Sequence, residues 1–210
     1  MDDSLEFAIQ KLIATTKELG ITAEIPQVDP EKLMMLKKTY DLPSDLIKWY
    51  SFAEPGVFII PRPVENIHFI NSNQFEKSLI GYAYTLKTPS NIILDKSWPS
   101  TWVVIGGESE YPVIVMKESS ADKSVYYGEA QNGVWKLNIL SNNLEGFLIG
   151  ISEYSSLYLS KYQGKIYKGK LMDNDYSLDQ SFVKDFTEIL DANRATVGRG
   201  EIWLMGWLGL

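Results

Sequence analysis

Apolar side chains recur at helical spacing from the start of the chain, at Leu5, Ala8, Ile9, Leu12 and Ile13, with Thr16 on the same stripe. This spacing predicts an amphipathic helix over residues 4–19, with Asp3 as its N-cap and Gly20 as its stop. A second helix is expected from Asp29-Pro30 to about residue 39, because an aspartate satisfies the open N–H groups of a helix start and proline belongs at the first helical position. Leu33, Met34 and Leu36 form its inward side. A third helix starts at Pro43, carries Leu46, Ile47, Trp49 and Tyr50, and breaks at Glu54-Pro55-Gly56.

From residue 57 the pattern turns strand-like, first over 57–60 and then over 67–70. Residues 74–85 are ambiguous: Phe75, Leu79, Ile80 and Ala83 suit a helix, while the tyrosines and threonines suit a strand, and a short helix is the preferred reading. Strands over 102–106, 112–116, 124–127 and 134–140 follow, with turns at Gly106-Gly107, Ser119-Ser120 and the hairpin-type dipeptide Asn132-Gly133. They predict an antiparallel meander. Asn142-Asn143 then caps a helix reaching to about residue 159, whose Leu144, Phe147, Leu148, Ile151 and Tyr154 would pack on one face of the sheet. Past it come a short hairpin around Gly164 and a capping box, Ser177-x-x-Gln180, that opens a helix carrying Phe182, Val183, Phe186, Ile189 and Leu190.

Composition bounds the chemistry. The 210 residues, 45% hydrophobic and 22% charged, fit one domain or one domain with an annex, and exclude global disorder. No cysteine is present, which removes thiol nucleophiles, disulfides, zinc ribbons and iron–sulfur clusters, and a single histidine, His68, removes two-histidine metal sites. The net charge of −7 opposes generic nucleic-acid binding and favours a basic partner. Residues 90–160 are the most acidic stretch per base, with 8 acids and 4 bases. Further on, Lys161, Lys165, Lys168 and Lys170 precede Asp173, Asp175, Asp179, Asp185, Glu188 and Asp191, a basic hairpin beside an acidic helix. The acidic start Met1-Asp2-Asp3-Ser4 is unlike a secretory signal, so a cytoplasmic location is expected. The apolar run 201–210 is too short to span a bilayer and is expected to dock on the domain as a final strand or helix, with a dimer or partner contact as the alternative.

Five pieces in order carry a resemblance: Leu42-Pro43-Ser44-Asp45-Leu46-Ile47-Lys48-Trp49-Tyr50-Ser51-Phe52; Trp98-Pro99-Ser100-Thr101-Trp102-Val103-Val104-Ile105-Gly106-Gly107; the apolar run 112–116; Val125-Tyr126; and Leu144-Glu145-Gly146-Phe147-Leu148. Together they resemble the SUKH superfamily, which includes the yeast Smi/Knr regulator of glucan synthesis and bacterial immunity proteins of toxin systems. The chain departs from the family pattern at Glu54-Pro55-Gly56, where an Asn-Gly is usual, and in the 50 residues after the Phe147 helix. The resemblance covers residues 28–160 and implies an α+β fold, a curved antiparallel sheet of about five or six strands with helices packed on it. It divides the chain into a domain over 1–160 and an extension over 161–210 packed on it. It also implies a binding role with no catalysis and no cofactor, and a structural part for Pro43, Trp49, Phe52, Trp102 and Gly106-Gly107.

Glu108 and Glu110 lie two apart beside a turn and share one face of an extended segment, as a paired-carboxylate hydrolase or a cation site would need. They read first as a solvated turn; the preferred functional reading is that, with Tyr111 and the nearby Trp98, they form an acidic, aromatic contact patch for a basic protein. His68 lacks the serine, aspartate and oxyanion donors of a nucleophilic site at motif spacing and reads as a hydrogen-bonded strand histidine. The run from Asp173 fails as a calcium loop, since Leu178 stands where glycine is needed and Lys184 where glutamate is. Neither Gly106-Gly107 nor Gly198-Arg199-Gly200 belongs to a phosphate-binding motif. The expected function is a protein-binding domain, an immunity protein that blocks a basic toxin; a regulatory or scaffold protein of the glucan-synthesis type is the alternative.

Overall fold

The structure, a computed structural model, describes residues 2–21, 24–62, 66–79, 82–88, 91–94, 97–108, 111–131, 133–170 and 175–193. The helices are α1 (Asp2–Glu18), α2 (Pro30–Tyr40), α3 (Ser44–Phe52), α4 (Phe75–Ser78), α5 (Leu144–Ser156) and α6 (Gln180–Ala192). The main sheet is antiparallel and six-stranded, in the order β1 (Ile59–Ile60), β2 (Ile67–Phe69), β5 (Trp102–Glu108), β6 (Tyr111–Met116), β7 (Val125–Gln131) and β8 (Val134–Ser141). Two separate antiparallel hairpins pair β3 (Tyr84–Thr88) with β4 (Asn91–Leu94) and β9 (Tyr167–Lys170) with β10 (Asp175–Leu178). The fold is α+β, with helices packed on an antiparallel sheet.

Register assigns the two sheet faces. Directly paired residues share a face, so Phe69, Gly106, Val113 and Tyr127 lie on one side. Phe147 of α5 meets Phe69 at 6.1 Å between ring centroids and Trp49 of α3 meets it at 5.1 Å, so this is the side the helices cover. Val113, Val115 and Val125 are buried beneath them. Helix α5 is covered in turn by α1 and α6, which is why nearly every residue from Leu144 to Ser155 is inaccessible. The opposite face carries Trp102, Val104, Ile114, Gly128 and Trp135, and the ring of Trp98 packs across it against Trp102 at 5.2 Å and Trp135 at 5.3 Å.

Several local expectations are corrected. Asp3 lies inside α1, which begins at Asp2. Asp29 caps α2 by accepting the Glu31 N–H at 2.9 Å, but Met34 is 69% exposed and only Leu33 and Leu36 turn inward. The helix expected over 74–85 shrinks to α4, and Tyr84 onward becomes a strand because it finds a partner in β4. Gly106 and Gly107 are strand residues rather than turn residues: β5 runs on to Glu108, and Gly107 has a positive φ of +129°, which glycine adopts without strain. A Cβ on Gly106 would lie 2.6 Å from the His68 carbonyl oxygen, so the glycine lets β2 approach. Gly164 closes the π-helical turn Leu157–Lys161 instead of a hairpin. Ser177 lies in β10, and it is Asp179 that caps α6, accepting the Ser181 N–H at 2.9 Å. The aromatic stripe of α6 packs against α5 through Phe182, Phe186 and Tyr154, and the basic segment does face the acidic helix, through Lys161–Asp185 at 2.7 Å and Lys168–Asp179 at 3.3 Å. Residues 194–210, including the apolar tail, lie outside the described residues.

A long-range polar clasp fixes the start of α3. Its N-cap residue, Pro43, offers no side-chain oxygen, and Glu118, beyond β6, accepts both the Ser44 N–H at 2.7 Å and the Ser44 hydroxyl at 3.0 Å. Beside it Asp41 accepts the Ser119 hydroxyl at 2.6 Å. The Ser119 hydroxyl holds the Asp41 carboxyl below its ordinary range, and the Ser44 N–H does the same for Glu118. Depressed folded-state values give stability that is present above the unfolded values and lost as pH falls through the folded ones. Thermal melting should therefore decline progressively below about pH 5, where unperturbed carboxylates begin to protonate. In Glu118→Gln part of that decline disappears; a pH profile identical to wild type would show that the clasp contributes nothing.

Candidate protein-interaction surface

The helix cover ends one row before the end of the sheet. Val113 and Tyr127 are cross-strand partners, and Val113 is fully buried while Tyr127 is half-buried. The next same-face positions outward are Tyr111 on β6 and Glu129 on β7, and Glu129 pairs across to Lys136 of β8. Tyr111 is 36% exposed, Glu129 half-buried and Lys136 exposed. Burial pushes the Tyr127 phenol up, and the charges of Glu129 and Tyr111 push it further, so these three groups lie within electrostatic reach of one another. At the β8 end, Lys136 donates to Gln131.

The expected patch is therefore only partly assembled. Glu108 pairs directly with Tyr111 in the β5–β6 register, so those two positions share this open face. Glu110 lies outside the described residues. Trp98 belongs to the other side: it is 6% exposed, wedged among Trp102, Trp135 and Tyr82 on the face away from α5. Its large apolar ring is packed against three other aromatics, and the sheet separates it from Tyr111. Tyr127 and Glu129 take its place, and the period-two pattern Val125, Tyr127, Glu129 already placed them on one strand face.

Alternative chemistries find little support in the geometry. His68 is exposed on β2, between Ile59 and Gly107, and its side chain receives no hydrogen bond among the described residues, contrary to the expected bonded histidine. Gly107 pairs with Pro112, which places His68 on the face opposite Tyr111. The segment from Asp175 is strand rather than a cation-binding loop. Among the described residues no three histidine or acidic side chains converge as a metal site would require. No helix among the described residues is long and apolar enough to cross a membrane. Compared with protein-family models, curated proteins and solved structures, the chain gives no match.

What the open face can do is bind. Two tyrosines supply large, stiff contact area at low entropic cost, and the Glu129 carboxylate beside Tyr127 supplies long-range attraction for a basic surface. Its strands are held from the opposite face by buried Val104 and Ile114 and, beside the open row, by Val113 under the helices, so a partner would meet a surface already in place.

Proposed function

We propose that the chain is a non-enzymatic protein-binding domain of SUKH type, an immunity protein that neutralises a basic toxin in the cytoplasm. The observation that carries this reading is the open Tyr111–Tyr127–Glu129 row at the uncovered end of the sheet, in a chain of net charge −7. Tyr111 and Tyr127 serve as the anchors of the contact, and Glu108 and Glu129 attract a cationic cleft and compete there with phosphate. Order and spacing of the five motif pieces favour the same family.

The test is affinity capture with tagged protein at about 0.05 M salt, followed by mass spectrometry, comparing wild type with Tyr111→Ala and Glu129→Lys. One basic toxin domain should be retained by wild type, and truncating an interface anchor should weaken it about tenfold or more. The association rate should also fall between about 0.05 and 0.5 M salt, as the Debye length shortens from about 14 to 4 Å. Enrichment of wall-synthesis proteins would support the regulatory reading instead. Equal capture by all three proteins would remove this face from the interface.

A further inference from the structure

The edge of β5 opens into a cavity of about 230 Å³. Strand β2 meets β5 at Gly106 and Gly107, and Ile70 donates to the Ile105 carbonyl at 2.9 Å. On the β2 side of β5, no strand among the described residues continues beside Trp102 and Val103, which pair only with β6, and the space there is bounded instead by α4 and by the end of α2. Phe75, Leu79, Val103 and Trp98, all buried, form its floor, and Tyr40 leans on Phe75 at 4.8 Å. Exposed Ser100 and half-buried Lys117 stand at its mouth.

Two of the polar groups on this largely apolar lining bear on the choice of ligand. The indole Nε1–H of Trp98 is buried and has no acceptor among the described residues, which is uncommon for a donor inside a protein. Lys117 forms no ion pair among the described residues, although its charge acts on Asp41, itself bonded to Ser119. An apolar cavity with one unmatched neutral donor and one ammonium group is suited to a molecule with an apolar body and a single anionic head. We infer that this cavity is a binding site for a small amphipathic carboxylate, its chain against Phe75 and Leu79 and its carboxylate accepting from Lys117 and the Trp98 indole. Cavities of about 150 Å³ admit benzene. The present volume therefore suits a ligand of about ten non-hydrogen atoms.

Sodium octanoate is the probe. In a titration followed by ¹H–¹⁵N correlation spectra, the Trp98 indole resonance, assigned by its loss in Trp98→Phe, should shift saturably with a Kd of about 0.1–1 mM, ordinary for a ligand of this size. Octanol, which lacks the charge, should bind wild-type protein about tenfold more weakly. Lys117→Met should remove that difference, and Ser100→Trp, at an exposed position, should block both ligands without changing the melting temperature. No saturable shift up to about 10 mM octanoate would overturn the site. Equal binding of octanoate and octanol to wild-type protein would overturn the carboxylate assignment, and this comparison does not depend on any variant folding.

Discussion

Glu54→Ala is expected to cost about 3–5 kcal/mol, a large fraction of the stability of a domain this size. The Glu54 side chain is 5% exposed, and its Oε1 accepts the Ser72 N–H at 2.9 Å while its Oε2 accepts the Ser72 hydroxyl. It also caps the 3-10 turn Pro55–Val57 at the Gly56 N–H, and its own backbone N–H donates to the Pro26 carbonyl at 2.7 Å. One residue thereby ties together the segment after α1, the exit of α3 and the approach to α4. Alanine would leave a buried N–H and hydroxyl without acceptors, each costing about 1–3 kcal/mol. Urea unfolding should register a midpoint lower by about 1–2 M, given a slope of about 2–3 kcal/mol/M. Glu54→Gln retains an acceptor for the Ser72 N–H and should lose less than half as much. A midpoint for the alanine variant within about 0.3 M of wild type would mean that the segments hold together without this side chain.

Glu54 also shows where local pattern stops being informative. In sequence it reads as part of a helix break, since Glu-Pro-Gly interrupts any periodic run, and its partner Ser72 is 18 residues away. The helices with strong apolar stripes were legible, because helical spacing and caps are local: α1, α2, α3, α5 and α6 appear within a few residues of expectation. The meander β5–β8 was legible for the same reason. What misled were features set by distant contacts. Met34 continues the apolar stripe of α2, but it is 69% exposed, and no element among the described residues covers that side. Ser177-x-x-Gln180 satisfies the spacing of a capping box, but Ser177 pairs with Lys168 in the hairpin, leaving the cap to Asp179.

The candidate surface divides in the same way. Glu108 and Tyr111 are neighbours across a hairpin, so their proximity follows from chain order. Trp98 is only ten positions from Glu108, yet the chain enters β5 from the opposite face, and closeness in sequence says nothing about which side of a sheet a residue lies on. The helix cover decides which row stays open, and that depends on where α5 sits over Val113 and Val125, a tertiary fact. Tyr127 and Glu129 were readable as same-face residues and unreadable as exposed ones.

Trp49→Ala should destabilise by about 3–5 kcal/mol and lower the melting temperature by roughly 10 °C, whereas Trp49→Phe should stay within about 1 kcal/mol of wild type. Trp49 is fully buried at the junction of α3 with the sheet edge, edge-on to Phe69 at 5.1 Å and stacked on Phe58 at 6.1 Å. Truncation to alanine removes the largest side chain of that junction, and β1 and β2, with two and three residues, are too short to close over the void. Phenylalanine keeps most of the ring contact. It also deletes the indole N–H, which is buried without an acceptor among the described residues and so carries a desolvation cost of about 1–3 kcal/mol that offsets the lost volume. The damage from alanine should be local first: amide exchange at Ile60 and Ile67, the paired residues of β1 and β2, should accelerate before that of Val113 or Val125. If phenylalanine proves as costly as alanine, the N–H is satisfied by a bound water or the junction depends on the full indole shape, and the resonance of that N–H would separate the two.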